Sequence, residues 1–175
     1  MTFPTASHVS LKDFAISIAT IHHFSTPERR CEAIKSLIRS VKPDSGRLLI
    51  YVWAVEQDEL SKRVVPDAAV TPDGIVTASA KAQDVLVPWV KTGAALGNSS
   101  GSSHEPRIFQ RYYHLFACSE LTRLASHAAS ELGLAVGPAD LCDTVGRTCG
   151  MEIVDHGWER SNYYLEAQLW RRFSQ

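Results

Sequence analysis

Two adjacent histidines, His22 and His23, are the residues whose types and placement point most directly to chemistry in this chain. They follow a short apolar segment, residues 14–19, and precede a helix start at which Ser25 and Glu28 have capping-box spacing. A strand, a polar loop and a helix in this order place side chains beyond the carboxyl end of an open α/β sheet, where small ligands usually bind. Neighbouring residues of an extended segment point in opposite directions, so we expect only His22 to face inward. The alternative is a histidine that only satisfies backbone groups at the helix entry.

An arginine and several aromatic residues form a second candidate group. Arg111 is followed by Tyr112 and Tyr113. Arginine is always charged and binds carboxylates through two parallel hydrogen bonds, so Arg111 is a candidate for holding an anionic substrate. The alternative is a surface arginine paired with an acid. The two tyrosines, and with less weight Trp53 and Trp89, could stack on a single-stranded base, although packing is the commoner role.

Basic residues recur on one side of the helix predicted over residues 27–41. Lys35 and Arg39 lie opposite the apolar face that carries Ile34 and Ile38. Such a basic stripe could follow an RNA backbone. A solvated helix face would have the same pattern, and both interpretations stay open.

Metal binding is not predicted. The four cysteines contain no CxxC pair, and Cys142 and Cys149 do not have the spacing of a zinc site or a common disulfide pattern. The candidate histidines His22 and His23 have no acidic or thiol ligand at helical spacing. We therefore expect reduced thiols and no metal ligands.

The pattern of apolar residues predicts a single α/β domain that positions these side chains. The predicted elements are strands over 14–19 and 47–54, helices over 27–41 and 119–132, and a hairpin of 151–158 and 162–170 across residues 159–161. The nearly continuous apolar run over 47–54 is typical of a strand buried on both faces. We expect flexible insertions at about 58–82 and 91–106, where Pro, Gly and Ser are frequent.

Five sequence blocks resemble one enzyme family, in the family's order. They are 13–26 (DFAISIATIHHFST), 47–57 (RLLIYVWAVEQ), 83–90 (QDVLVPWV), 111–116 (RYYHLF) and 157–164 (GWERSNYY). This arrangement is similar to class I S-adenosylmethionine-dependent methyltransferases, in the branch that esterifies carboxymethyl groups on the wobble uridine of tRNA. The blocks cover most of the chain except its connections.

The resemblance implies the C-terminal part of a Rossmann-like sheet, with two parallel strands, their helices and a terminal antiparallel hairpin. It implies S-adenosylmethionine as the cofactor, the tRNA anticodon loop as a partner, and a small zinc-binding activator protein that extends the sheet at an edge outside the resembling blocks. By resemblance, the site residues fall into three groups. These are Arg111 and His22 as catalytic residues, Ser17, Ile18 and Ala19 beside the cofactor, and His23, Tyr112, Tyr113, Lys35 and Arg39 as substrate-binding residues.

The chain departs from the family's pattern in its cofactor half, and also in residues 133–150, which form a longer connection than is usual in the family. The cofactor half of the fold normally carries a Gly-rich turn after its first strand, and no GxGxxG-like turn occurs in this sequence. Only twelve residues precede Asp13, whereas a strand-helix-strand unit needs about 30. We therefore expect an incomplete gene model or a split product rather than an evolved half-domain, and segment 14–19 would then be an unprotected edge strand.

Two function hypotheses follow from the sequence. The first is a methyltransferase that acts on the carboxymethyl group of tRNA wobble uridine. The second is a truncated fragment or pseudoenzyme that acts at most as an RNA- or protein-binding module. With 175 residues, 45% of them apolar, and a net charge of −1, the chain is not a wholly basic nucleic-acid binder. We expect a soluble protein of the cytoplasm, with the nucleus as a second compartment.

Overall fold

The structure is a computed structural model that describes residues 10–59, 61, 81–91, 107–140 and 148–172. Most of the insertions predicted at about 58–82 and 91–106 lie outside the described residues. The helices and strands are β1 (Phe14–Ile18), a short 3-10 helix (Ile21–His23), α1 (Pro27–Ser40), β2 (Arg47–Trp53), β3 (Gln83–Lys91), β4 (Arg107–Leu115), α2 (Glu120–Glu131), β5 (Ala135–Val136), β6 (Cys149–Glu159) and β7 (Asn162–Arg171). Among the described residues, no helix is both long and apolar enough to cross a membrane.

The main sheet has five strands in the order β1-β2-β7-β6-β5. β1 and β2 are parallel, as are β5 and β6, whereas β7 is antiparallel to both of its neighbours. The predicted parallel pair, its helices and the terminal hairpin are therefore all present, and the α/β prediction is confirmed. The two-residue strand β5 was not predicted.

The hairpin turns at the residues expected from the sequence. Arg160 and Ser161 both have positive φ, 46° and 61°, between β6 and β7. A two-residue loop with two positive φ values has the twist that matches antiparallel strands. The turn thereby sets the register in which Glu159 faces Asn162.

The N-terminus of α1 differs by one residue from the sequence prediction. The N-cap is Thr26, whose hydroxyl accepts a hydrogen bond from the Arg29 amide at 3.3 Å, rather than Ser25. Pro27 then occupies the first helical position, where its fixed φ is favourable and no amide hydrogen is needed. The capping-box assignment was therefore wrong by one position, because Ser25 and Thr26 are both suitable caps.

The core lies between the two helices and one face of the sheet. α1 contributes Ile34 and Ile38, and α2 contributes Leu121, Ala125 and Ala128. These are the faces that the helical spacing predicts. The helices meet the alternate β2 residues Leu48, Ile50 and Val52, all of which are buried.

The composition of β2 predicts burial on both faces, but the structure buries only the face toward the helices. Leu49, Tyr51 and Trp53 point away from the helices and are only half-buried. On β1, Phe14, Ile16 and Ile18 remain 67%, 63% and 60% exposed. Within the part of the chain that the structure describes, β1 is also the last strand on its side of the sheet. The expectation of an apolar edge strand is thus confirmed.

The strands β3 and β4 form a separate antiparallel ribbon, here called the β3–β4 ribbon. Both segments contain blocks that resemble the family, but their pairing was not predicted from the sequence. A bridge between Ala54 and Phe116 joins the end of the ribbon to the end of β2, with the two segments parallel. Val85, Tyr113 and Leu115 close the junction in a small buried cluster with Val55.

Candidate functional site

Four ring-bearing residues meet at the carboxyl end of β1 and β2, and they are here called the aromatic cluster: His22, His23, Trp53 and Tyr113. The two histidines lie in the 3-10 helix that follows β1, Trp53 ends β2, and Tyr113 comes from β4. The indole of Trp53 stacks on the Tyr113 ring with centroids 4.2 Å apart and an angle of 4° between the planes. The residues that the sequence singled out are therefore brought together from three elements.

His22 faces inward, as predicted, and is completely buried. Its Nδ1 accepts a hydrogen bond from the backbone N–H of Trp53 at 3.1 Å. Because Nδ1 accepts, the proton of a neutral ring lies on Nε2. The His22 ring also contacts Trp53 and Tyr113, with centroids 4.9 Å and 5.3 Å away. His22 therefore ties the end of β1 to the end of β2, and its catalytic role stays a prediction.

His23 points the opposite way and is exposed. Its Nδ1 lies 3.1 Å from the carbonyl oxygen of Tyr112, so the ring donates to β4 when this nitrogen carries the proton. The ring also lies 4.4 Å from that of Tyr113. His23 thus links the 3-10 helix to the β3–β4 ribbon.

Tyr112 and Tyr113 have different environments. Tyr113 is 8% exposed, and one face of its ring is covered by Trp53. The Tyr112 hydroxyl lies 2.6 Å from Asp84 Oδ1 and 3.2 Å from the carbonyl oxygen of Ser25. Burial and the neighbouring Asp84 carboxylate raise the pKa of Tyr112. Both tyrosines therefore have structural contacts, and base stacking by either stays a prediction.

Arg111 is exposed on the same face of β4 as Tyr113, two residues away. Its guanidinium carbon lies 4.1 Å from the centroid of the Trp89 ring on the adjacent strand β3. Stacking on an aromatic face uses the plane of the guanidinium and leaves its N–H groups directed outward at the edges. The geometry suits a donor fork held at a fixed position, which is what binding a carboxylate requires.

The residues predicted beside a cofactor lie at the end of β1. Ser17 is buried and Ile18 is exposed, as their alternation along the strand requires. Ala19 follows with φ of 53°, a value uncommon for a residue other than glycine, and its amide donates to the carbonyl of Tyr51 at 3.1 Å. Strained backbone of this kind clusters at ligand sites, which makes the strand end a suitable place for one.

Lys35 and Arg39 lie further along α1, beyond its N-terminal turn. The ammonium of Lys35 lies 2.7 Å from a Glu131 carboxylate oxygen and also pairs with Glu32, and the Lys35 side chain is only 11% exposed. These hydrogen bonds raise the pKa of Lys35. Arg39 is more open and lies 3.9 Å from Glu32. The structure does not bring this pair to the aromatic cluster, and contact with RNA stays a prediction.

A polar network that the sequence did not predict lies beside the cluster. The buried His114 lies with Nδ1 2.7 Å from Asp84 and Nε2 2.7 Å from Glu120. A doubly protonated ring donates to both carboxylates, whereas a neutral ring can donate to only one. Asp84 is 30 residues away on the paired strand, so only the pairing of β3 with β4 could have indicated the contact.

Both carboxylates of this network have a lowered pKa. Burial by itself raises the pKa of Glu120, but hydrogen bonds from His114 and from the Ala117 amide outweigh it. Burial also opposes the shift at Asp84, where the Tyr112 hydroxyl and His114 lower the pKa. The network therefore holds two carboxylates ionised at the junction of the ribbon and α2.

Among the described side chains, one group has the composition of a metal site. The donor atoms of Cys31, His127 and Glu131 lie within 4.8 Å of one another between α1 and α2. The ammonium of Lys35 lies at the Glu131 carboxylate and already balances its charge. Burial, followed by the Glu131 charge, raises the pKa of the Cys31 thiol, which disfavours the thiolate that a metal needs. The absence of metal ligands stays a prediction.

Comparison with known proteins relates the chain to tRNA-modifying enzymes. It is 33% identical over 163 residues to a tRNA (carboxymethyluridine(34)-5-O)-methyltransferase of Schizosaccharomyces pombe, an alignment that covers 89% of this chain and 56% of the relative. A Saccharomyces cerevisiae protein of the same name is 42% identical over 78 residues, covering 45% of this chain and 23% of the relative. The chain is thus homologous to these enzymes, and the resemblance stated from its motifs is confirmed. It spans about half of the fission yeast relative's length and less of the budding yeast one.

The structural comparison gives more distant matches. The CcbJ methyltransferase from Streptomyces caelestis superposes with a TM-score of 0.49 at 11% identity, covering 95% of this chain and 63% of that chain. No protein-family model matches the sequence.

Proposed function

We propose that this chain is the substrate-facing part of a tRNA wobble-uridine methyltransferase, which transfers a methyl group from S-adenosylmethionine to a carboxymethyl group on the base. The observation that supports it most is the homology to the fission yeast enzyme across 89% of this chain. The arrangement of the aromatic cluster at the carboxyl end of β1 and β2 agrees with it, because open α/β sheets bind ligands there.

The proposed reaction makes modest demands on the protein. A carboxylate is already ionised at pH 7, so its oxygen can attack the methyl group without a strong general base. Positioning of the reactants and exclusion of water then provide most of the rate enhancement. Arg111 is the proposed carboxylate-binding residue, because its guanidinium is held against Trp89 while its edge donors stay accessible. His22 and His23 are proposed to shape the pocket for the base.

The described residues provide a place for only part of the proposed cofactor, at the end of β1. Ser17 and Ala19 have small side chains at the end of β1, and the backbone of Ala19 is already in an unusual conformation there. A ligand could approach this backbone closely. The sequence contains no Gly-rich turn to receive the rest of the cofactor. When bound, S-adenosylmethionine would supply the methyl group, and this chain's residues would orient the acceptor.

The proposal includes partners and a location. The tRNA anticodon loop is the proposed substrate, with Tyr112, Tyr113, Lys35 and Arg39 as candidate contacts. A small zinc-binding activator protein is the proposed protein partner. The proposed compartment is the cytoplasm, with the nucleus as a second site.

A second candidate is a fragment or pseudoenzyme that binds RNA or protein without catalysing transfer. Two observations favour it: the missing Gly-rich turn, and the three large apolar side chains exposed on β1. Isothermal titration with S-adenosylmethionine separates the two candidates, with circular dichroism on the same sample. Micromolar binding by a folded chain supports the enzyme, whereas no binding favours the fragment.

Methyl transfer itself is tested with radiolabelled S-adenosylmethionine and tRNA carrying carboxymethyluridine, with and without the activator protein. R111A is expected to abolish ester formation while cofactor affinity stays within about twofold, because the interaction is with the acceptor. R111K tests whether charge without the planar fork is sufficient. R47A, at the opposite end of β2, is the matched control. Loss of cofactor binding in R111A would show that Arg111 is structural.

A further inference from the structure

A cleft at the helix starts carries an excess of positive charge that the aromatic cluster does not use. Its volume is about 580 Å³, and it lies between the first turns of α1 and α2, beside the approach to β3. Three of its described lining residues are cationic, Arg30, Lys81 and Arg123, and the cavity is here called the cationic cleft. Among the described residues, Glu120 is its single acidic lining residue.

Arg30 forms the rigid base of the cationic cleft. Its residue is only 4% exposed, which is unusual for a charged side chain. One guanidinium nitrogen donates to the carbonyl of Phe24 at 2.9 Å, and the guanidinium carbon lies 5.9 Å from the Phe116 ring centroid. A side-chain hydrogen bond with Tyr112 also holds Arg30. An arginine has five N–H donors, so these two hydrogen bonds orient the guanidinium and leave donors for a ligand.

Arg123 and Lys81 form the outer wall and are both exposed. Arg123 is held by its own helix, because its Nε donates to the carbonyl of Ser119 at 3.3 Å. Cations at three positions around one concave surface can contact an anion that is larger than a single carboxylate.

The Glu120 carboxylate offsets part of this charge, since the positive charge of Arg30 is one of the causes that lower the pKa of Glu120, but it does not balance three cations. One oxygen of Glu120 accepts from His114 Nε2 at 2.7 Å and the other from the Ala117 amide at 3.0 Å. The carboxylate is therefore directed into the network with His114 and Asp84. The N-terminal ends of α1 and α2 add partial positive charge at the same place.

The position of the cleft connects it with the candidate site. α1 begins four residues after His23, and Tyr112 reaches the carbonyl of Ser25 in the loop between them. α2 follows Phe116, which bridges to Ala54 just beyond β2. Both helices thus start at the carboxyl end of β1 and β2, where the aromatic cluster also lies.

We propose that the cationic cleft binds a backbone phosphate of the substrate RNA next to the nucleotide that occupies the aromatic cluster. The inference rests on the proposed function, in which the acceptor is a wobble nucleotide. A phosphate adjoining the modified base would fix the strand, while the aromatic cluster and Arg111 contact the base and its carboxymethyl group. Phosphate contacts position a nucleic acid without reading its sequence.

The test measures binding of a fluorescently labelled anticodon stem-loop RNA by the full chain at a series of salt concentrations. R123Q and K81Q are expected to weaken binding several-fold and each to reduce the slope of log K against log salt by about 1. Lys12, an exposed cation beyond the opposite end of β1, provides the matched control K12Q, which should leave the slope unchanged. R30K tests the buried donor, with circular dichroism to verify folding.

Inorganic phosphate serves as the second probe, followed by its effect on thermal unfolding. If R123Q and K81Q lose only the response to inorganic phosphate and bind RNA like the wild type, the cleft is a small-anion site and the proposal is overturned. Absence of RNA binding by the wild-type chain would overturn it as well.

The result is separable from the proposed reaction. If methyl transfer fails but R123Q still lowers the salt slope, the phosphate site stands and only the methyltransferase proposal fails. If transfer succeeds while both variants keep the wild-type slope, the reaction stands and the phosphate site is overturned.

Discussion

The two faces of β1 differ sharply in what covers them. Toward the helices, the strand presents the small side chains of Ala15 and Ser17, which pack beside α1 and the buried core. Away from the helices it presents Phe14, Ile16 and Ile18, each at least 60% exposed. The larger apolar surface is thus on the face that no described helix covers.

This difference shows what kind of strand β1 is. Strands of parallel sheets are usually apolar on both faces because helices cover both. An antiparallel sheet with one solvated face would instead alternate apolar and polar residues. The composition of β1 therefore suits a strand covered on both faces.

The strongest test of the comparison replaces one isoleucine on each face of the sheet, Ile50 of β2 beside Ser17 and Ile16 of β1. I50A removes a fully buried side chain beneath the helices and is expected to lower the free energy of unfolding by about 2–5 kcal/mol. I16A, on the uncovered face, should change it by no more than about 0.5 kcal/mol. Urea unfolding followed by circular dichroism measures both. Equal losses would mean that the second face is covered in solution.

A smaller effect on stability is expected from a change of pH, because the β3–β4 ribbon contacts α2 through the charged groups of the His114 network. Asp84 and Glu120 have a pKa below the unfolded value, so the unfolded chain binds more protons as the pH falls through this range. Their contribution to stability is therefore present above about pH 4.5 and is lost at lower pH.

The variant E120Q removes one of these carboxylates and should make the stability fall less steeply as the pH is lowered. E152Q, in β6, should leave the pH dependence of stability unchanged. Unfolding midpoints between pH 3 and pH 7 provide the measurement. An E120Q profile parallel to that of the wild type would show that the His114 network does not contribute.

The uncovered face of β1 also predicts that the protein self-associates. An exposed apolar edge strand can pair with another chain, and lysine on such an edge opposes this. I16K and I18K should therefore reduce association while the free energy of unfolding stays within about 0.5 kcal/mol. Light scattering after size-exclusion chromatography is the measurement. Wild-type protein that stays monomeric at all concentrations would contradict the prediction.

The smallest effect is expected on the outer face of α1. Arg39 is 58% exposed and only 3.9 Å from Glu32, so R39A should cost about 0–0.5 kcal/mol. The covered neighbour Lys35, which joins α1 to α2 through Glu131, should cost more when replaced by Met. If R39A lowers the free energy of unfolding by more than K35M does, Arg39 and not Lys35 stabilises α1 more.

Local patterns in the sequence were sufficient for the helices and the main strands. The spacing of Ile34 and Ile38 predicted the buried face of α1, and the apolar run at Leu48–Val52 predicted β2. The turn at Arg160 was also indicated, because it lies between two apolar strands. These features depend on neighbours in the chain, which a sequence displays directly. The sequence did not indicate that Thr26 rather than Ser25 is the N-cap of α1, since both side chains carry a hydroxyl that can cap a helix.

The sequence by itself therefore determined the two α-helices, the strands β1, β2, β6 and β7, the homology and the set of candidate residues, while the tertiary structure decided which of these residues meet. Trp53 hydrogen-bonds His22, 31 residues earlier, and His23 contacts Tyr112, 89 residues later. The pairing of His114 with Asp84 likewise depends on the register of the β3–β4 ribbon. Contacts at such separations follow from how strands pair and helices pack, and no local periodicity encodes them.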